Sequence, residues 1–327
     1  MKLKFFLTGI LAGLLIAASP LLFSFSKKYI AGLTNKPKQE PVLIKATGKD
    51  SNDRHSLPLA ADIFLASEQI FIKPTRHWDV KEANIPAKIA LIYETSQNNI
   101  LFKKNGINEP RPIASLTKMM TALVVIDNTK LDSVFTVSKN AVDTIGNMGG
   151  LAVEEKLTVE SLLKILLIES SNDAAIALAE NIAGGNVENF VSLMNAKAQT
   201  LGLKNTFFAD SSGLSPANKS TAWELILIMK EILKNPLLSE IMRSATADVI
   251  SQNNQQHHLT NTNKLLFGMT DIIAGKTGYT EEAGNCMVLA VKSPYNGGAI
   301  ISVVMGAEDR LAETETLIKW TKEAFLW

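Results

Sequence analysis

Ser115 and Lys118 stand three residues apart in Ile113-Ala114-Ser115-Leu116-Thr117-Lys118-Met119-Met120, a largely apolar stretch. On a helix, positions i and i+3 share a face, so the hydroxyl and the amine can meet at the first turn. There the backbone donors are unpaired and the helix dipole favours an oxyanion. An apolar setting disfavours the ammonium form, and a neutral lysine can take the proton of a serine, which makes the pair a possible nucleophile and base. The spacing is common, since Ser24/Lys27 and Ser161/Lys164 repeat it, so a plain surface charge stays open as the alternative.

Two further clusters bear on the choice. Ser170-Ser171-Asn172 falls between two helical stretches, where side chains can project into a cleft. Ser-x-Asn also occurs at Ser96/Asn98, Ser138/Asn140 and Ser251/Asn253, and a plain cap by Ser170 or Ser171 on the helix beginning near Asp173 stays open as the alternative. Asp173 itself reads as a first-turn acid favoured by the helix dipole. Lys276-Thr277-Gly278 occurs once. A strand edge with a lysine, a hydroxyl and a glycine that admits close backbone approach suits the carboxylate end of a peptide. It is not a phosphate loop, because Thr270 stands where the first glycine is required.

The elements that must hold these residues can be read from periodicity. Residues 88–94 and 100–103 read as two strands around a turn at 96–99. Residues 115–127 are apolar on every side, the mark of a buried helix. Thr158 can cap a helix that buries Leu162, Leu163, Leu166 and Leu167, and further helices follow over 173–182, 188–200 and 221–233. Residues 274–279, 286–291 and 299–305 read as three strands and 312–325 as a final helix, whose expected task is to cover the sheet rather than lie on a membrane. The sum is an α+β domain: one mostly antiparallel sheet of about five strands flanked by helices, plus a mainly helical subdomain.

Composition limits the function classes. Lys plus Arg number 33 and Asp plus Glu 32 in 327 residues, so nothing marks a nucleic-acid partner. The single cysteine, Cys286, permits no internal disulfide and is expected to be a buried structural thiol. His55, His77, His257 and His258 make no zinc-binding pattern; His257 and His258 read as loop or strand-edge residues, and neither metal nor cofactor is expected. Residues 5–25 carry no charge and are flanked by Lys2, Lys4, Lys27 and Lys28, a length close to the roughly 20 residues that span a bilayer. Residues 1–32 are therefore expected to be a membrane anchor or signal segment, with Pro20 opposing cleavage after Ala17-Ala18-Ser19, and the rest of the chain is exported. Residues 33–82 read as a polar linker or arm and 83–327 as the compact domain.

Ser-x-x-Lys, Ser-x-Asn and Lys-Thr-Gly in that order resemble the penicillin-recognising serine enzymes, whose β-lactamase/transpeptidase-like fold is then expected. The flanking stretches "RPIASLTKMMTALV", "LTVESLLKILLIESSNDAAIALAE", "DSSGLSPANKSTAWEL", "NTNKLL" and "AGKTGYTEEAGNCMVLAV" look like the D-alanyl-D-alanine carboxypeptidases, the low-molecular-weight penicillin-binding proteins. The resemblance implies that Ser115 is acylated, Lys118 is its base, and Ser170 passes a proton to the leaving amine. It implies that Asn172 binds the substrate backbone, that Lys276, Thr277 and Gly278 receive the terminal carboxylate, and that the N–H groups of Ser115 and Tyr279 form the oxyanion hole. Lys276 is also expected to help keep Lys118 neutral. The implied substrates are peptidoglycan stem peptides, with β-lactams as covalent inhibitors, at the bacterial envelope on the outer face of the cytoplasmic membrane or beyond it. Three alternatives stand beside this: an endopeptidase for D-Ala cross-links, a β-lactamase, and a tethered wall-binding protein without turnover. The β-lactamase is disfavoured because "FFADSSGLSPANKSTAWEL" lacks the Glu-x-x-Leu-Asn element of that group. Many such carboxypeptidases add a β-rich domain and an amphipathic C-terminal helix, for which no room remains after the last motif.

Overall fold

The computed structural model describes residues 74–146, 149–294 and 297–327. The uncharged run at 5–25 and the arm up to residue 73 lie outside the described residues, among which no helix is long and apolar enough to cross a membrane.

The chain passes from β1 (Thr75–Arg76) into the hairpin of β2 (Ile89–Glu94) and β3 (Asn99–Lys104). Next, β4 (Arg111–Pro112) leads to a 3-10 turn (Ala114–Thr117) and α1 (Lys118–Asn128). The helical part continues with β5 (Val134–Thr136), α2 (Lys139–Val142), β6 (Lys156–Thr158), α3 (Val159–Ile168), α4 (Asn172–Ile182) and α5 (Val187–Thr200). It closes with β7 (Lys219–Ser220), α6 (Ala222–Leu233) and α7 (Pro236–Arg243). A hairpin of β8 (Thr246–Ile250) and β9 (Gln256–Thr260) returns the chain to β10 (Ile272–Thr280), β11 (Gly284–Lys292) and β12 (Ala299–Ala307), followed by α8 (Arg310–Ala324) and β13 (Phe325–Leu326).

The main sheet has the order β10-β11-β12-β2-β3, antiparallel throughout, as the sequence predicts. Successive side chains of a strand point to opposite faces, and each face is covered by its own layer. From β11, Cys286, Val288 and Ala290 join the core shared with α1, α3, α4 and α6, while Met287, Leu289 and Val291 join the core under α8. Leu317 and Ile318 of α8 are fully buried there, so the last helix covers the sheet as expected. Residues 74–82, assigned to the arm by sequence, include β1, which pairs with β13.

Burial explains why α1 is apolar all round: residues 118–125 are all buried, with α3, α4, α5 and α6 packed around the helix. Each such Met, Leu or Val contributes about 1.5–3 kcal/mol by leaving water. The caps follow the sequence: Thr158 accepts from Ser161 N at 3.1 Å and Ser171 from Ala174 N at 2.9 Å. One detail differs from the reading. Ser115 sits in the 3-10 turn and α1 begins only at Lys118. Because a 3-10 turn repeats every three residues, it eclipses positions i and i+3, aligning Ser115 with Lys118 more closely than an α-turn would.

Candidate active site

Ser115 is fixed by backbone geometry on both sides. Ala114 has a φ of 48°, uncommon for a residue with a Cβ, and it swings the chain into the turn. A Cβ placed on Gly213, itself at φ +91°, would come within 2.1 Å of the Ala114 carbonyl, so only glycine lets these two loops touch. A Cβ on Gly278 of β10 would lie 3.1 Å from the Ser115 nitrogen. The sheet edge and the nucleophile turn are therefore in direct apposition, with Tyr279 next along the strand.

Lys118 Nζ is completely buried and has three partners: Ser115 Oγ at 3.0 Å, Asn172 Oδ1 at 2.6 Å and the Ser212 carbonyl at 2.5 Å. Asn172 is oriented by its amide nitrogen, which donates to the carbonyls of Ile145 at 2.9 Å and Gly146 at 3.1 Å, so its oxygen faces the lysine. Ser212 is held by Asp210, whose carboxylate accepts from Ser212 N at 2.8 Å, Gly213 N at 2.5 Å and Ser215 N at 2.7 Å. Burial works against the Asp210 charge, but these N–H groups and Asn218 outweigh it and keep the carboxyl below its usual pKa. Burial lowers Lys118 to about 7, against the opposing pull of Asp210 and Asp173.

Across the cleft, Lys276 is also buried, and its Nζ donates to Ser170 Oγ at 2.7 Å and to the Thr277 carbonyl at 2.9 Å. Its pKa is lowered well below the usual lysine value, first by burial and then by the positive charges of Lys118 and Arg310. Lys118 and Lys276 repel one another when both are charged, and burial is the main cause that lowers each of them. Arg310, at the start of α8, donates to the Gly278 carbonyl at 3.2 Å and to Asn285 Oδ1 at 3.0 Å. Thr277 Oγ1 donates to Thr262 Oγ1 at 2.7 Å. Tyr279 is half-exposed, its hydroxyl donating to Glu281 at 2.8 Å.

Ser170 and Ser171 divide the roles that sequence left open. Ser171 caps α4, and Ser170, at φ +65°, turns its hydroxyl to Lys276. Asn172 differs from the reading in that both ends of its amide are engaged within the protein. Asp173 does sit in the first turn of α4, but it is buried and accepts from Leu151 N at 3.2 Å, tying down the neighbouring loop; burial raises its pKa. His257 and His258 both lie in β9 of the two-stranded hairpin, in line with the strand-edge reading, His257 buried and His258 exposed. Cys286 is buried with its thiol pKa raised by burial, the structural role expected of it. Among the described residues no cluster of three metal-ligating side chains occurs.

Asp210, Ser212, Gly213, Thr262 and Arg310 escaped the sequence reading. Asp210-Ser211-Ser212-Gly213 carried a turn signal, an Asp two residues before a backbone it can bond. Thr262 lies in the "NTNKLL" stretch, which gave it no role, and no local pattern marked Arg310.

A family model for D-alanyl-D-alanine carboxypeptidases matches residues 76–309. The chain is 33% identical to the D-alanyl-D-alanine carboxypeptidase DacF of Bacillus subtilis over 245 residues, 73% of this chain and 62% of that protein. It is 34% identical to a D-alanyl-D-alanine endopeptidase of Pseudomonas aeruginosa over 238 residues, 71% of this chain and 76% of that one. The crystal structure of the Streptomyces K15 DD-transpeptidase superposes with a TM-score of 0.69 at 28% identity, covering 75% of this chain and all of that one. A D-alanyl-D-alanine carboxypeptidase from Mycobacterium tuberculosis superposes with a TM-score of 0.68, also at 28% identity, over 77% and 96% of the two chains. The fold, the ordered motifs and these matches agree, and the chain belongs to the D-alanyl-D-alanine carboxypeptidase family of serine peptidases.

Proposed function

We propose that this protein removes the terminal D-alanine from peptidoglycan stem pentapeptides through an acyl-enzyme on Ser115. The observation that carries the reading is the valence of Lys118 Nζ. A neutral amine has two N–H donors and one lone pair. Two of its three neighbours, Asn172 Oδ1 and Ser212 O, can only accept, so they take the two donors. The lone pair is left for the one neighbour with a proton to give, Ser115 Oγ. With Lys118 lowered to about 7, this neutral form is available near neutral pH.

In the reaction, Lys118 takes the Ser115 proton as Oγ attacks the carbonyl carbon of the penultimate D-alanine. The oxyanion forms between the N–H groups of Ser115 and Tyr279. The C–N bond then breaks, and Ser170 relays to the departing amine the proton that Lys118 took, so Lys118 is neutral again, Ser170 keeps a proton and D-alanine leaves. The Ser170 hydroxyl oxygen accepts from Lys276, leaving its own proton free to donate. Lys276, Thr277 and Gly278, with Arg310 behind them, receive the substrate carboxylate, the anion this cationic corner lacks. Water attacks the ester and frees Ser115. A β-lactam follows the same first step, but its amine stays tethered and the adduct persists. Glu224 does not supply a water-activating carboxylate: it accepts from Asn205 N at 2.9 Å and Thr206 Oγ1 at 2.5 Å. The lysine-flanked run at 5–25 supports an envelope location, with the domain on the outer face of the cytoplasmic membrane or exported.

The endopeptidase name of several relatives supports a second reading with the same site, cleavage of D-Ala cross-links. Purified protein given a pentapeptide ending in D-Ala-D-Ala and, separately, a cross-linked dimer separates the two. D-alanine release from the first supports the carboxypeptidase. Dimer cleavage alone replaces it with the endopeptidase, and activity on neither refutes both.

A further inference from the structure

Glu155 and His257 face each other in a contact that no step above uses, with side chains only 2% and 6% exposed. His257 Nε2 lies 2.7 Å from Glu155 Oε1, and its Nδ1 lies 3.2 Å from the Gly149 carbonyl. Both ring nitrogens therefore face acceptors. The Gly149 carbonyl can only accept, so the ring holds it through a hydrogen on Nδ1.

The loop this pair grips belongs to the active site. Its beginning supplies the Ile145 and Gly146 carbonyls that orient Asn172. Its middle is held from the other side, where Asp173 accepts from Leu151 N and a Cβ on Gly149 would press within 2.8 Å of Ser171 Oγ and Asp173 Oδ1. Glu155 Oε2 accepts from Ala152 N at 2.9 Å, folding the loop on itself. The hairpin that carries His257 also clasps the end of the loop: Lys156 N donates to Asn253 Oδ1 at 2.7 Å and Gln252 N to the Lys156 carbonyl at 2.8 Å. Gly149 is thus the point where the hairpin, the cap of α4 and the loop meet. A shift there presses on Ser171 and Asp173, the residues on either side of Asn172, and so on the partner of Lys118.

We infer that Glu155 and His257 are positioning residues for the reaction: their contact fixes Gly149 against Ser171 and Asp173, and so holds Asn172 toward Lys118. The inference rests on the acyl-enzyme reading, and its test keeps the two apart. Acylation of the full chain by benzylpenicillin is followed at several concentrations, giving a limiting rate constant and a half-saturating concentration. Failure of the wild type to acylate refutes the underlying reading itself. With acylating wild type, Glu155→Gln and His257→Gln are each expected to lower the limiting rate constant about tenfold or more while half-saturation stays within about twofold, because the base is misaligned and the carboxylate pocket is untouched. The double variant is expected to be no slower than the worse single one, since the two side chains act as a unit. Wild-type rate constants in either single variant, or a loss confined to half-saturation, overturn the inference.

A second measurement needs no change to the pair. With His55, His77 and His258 replaced by Gln and the remaining imidazole labelled with nitrogen-15, long-range proton–nitrogen correlation reports which ring nitrogen of His257 bears hydrogen. A protonated Nδ1 at neutral pH is expected. A bare Nδ1 leaves the Gly149 carbonyl without its donor and overturns the inference even where the pair variants fail to fold.

Discussion

The helical wall and the sheet edge of the cleft each bury one lysine, and the surroundings of the two differ in kind. Lys118, on the helical wall, has two pure acceptors, one hydroxyl and the nearby charges of Asp210 and Asp173, which partly offset its burial and leave it near 7. Lys276, on the sheet edge, has a hydroxyl and one carbonyl for company, and the charges it feels are cationic, from Lys118 and Arg310. The first environment suits a group that gains and loses a proton during the reaction. The second is short of negative charge, which a bound carboxylate supplies. On the proposed mechanism, two identical side chains at similar burial are divided between proton transfer and anion binding by their neighbours.

Changing each lysine separately tests that division. Lys118→Ala removes the base and is expected to slow acylation about a thousandfold or more, with substrate affinity little changed, as measured by single-turnover kinetics. Lys276→Ala is expected to act mainly on KM for a peptide with a free carboxylate, raising it about a hundredfold, and far less for the same peptide amidated at its C-terminus. An equal loss on both peptides would remove the carboxylate role.

Acidity separates the two sides again. Lys118 must be neutral to act, so wild-type acylation is expected to fall about tenfold per unit as pH drops below about 7. A rate that is flat between pH 5 and 8 would contradict the assignment. Gly213→Ala touches neither lysine directly but pushes on Ala114, and with its φ of +91° is expected to cost about 1–3 kcal/mol of stability as well as activity, readable in a denaturant titration.

The smallest effect is a slope. Between about 7 and 10.5 the unfolded chain keeps a proton on Lys118 that the folded protein has released, so this group makes stability rise with pH across that window. Lys118→Met removes the group, and the stability gap is expected to move in favour of wild type as pH climbs from 7. A pH-independent gap would mean that Lys118 is not lowered.

What the sequence made legible follows from how local each signal is. The motif side chains Ser115, Lys118, Ser170, Lys276 and Thr277 could be picked out because each motif spans three or four residues, and apolar periodicity gave the five strands and the buried α1. Ser212 contributes a carbonyl, which every residue possesses, so its sequence carries no mark of the role. Arg310 and Thr262 reach Gly278 and Thr277 only through the tertiary fold. His257 and His258 look alike in sequence, yet the pleat of β9 sends one inward to Glu155 and the other outward to Asp248. The 3-10 turn at Ser115 depends on the left-handed Ala114 and the contact with Gly213, neither of which a helical pattern contains.

The central claim is that Lys118 turns Ser115 into a nucleophile. Intact-mass spectrometry of the protein after exposure to benzylpenicillin tests it most directly, with Ser115→Ala and Lys118→Ala alongside. The account predicts one persistent penicilloyl adduct on the wild type, none on Ser115→Ala, and barely detectable adduct on Lys118→Ala over the same interval. Folded wild type without an adduct, or an adduct that survives Ser115→Ala, would contradict it.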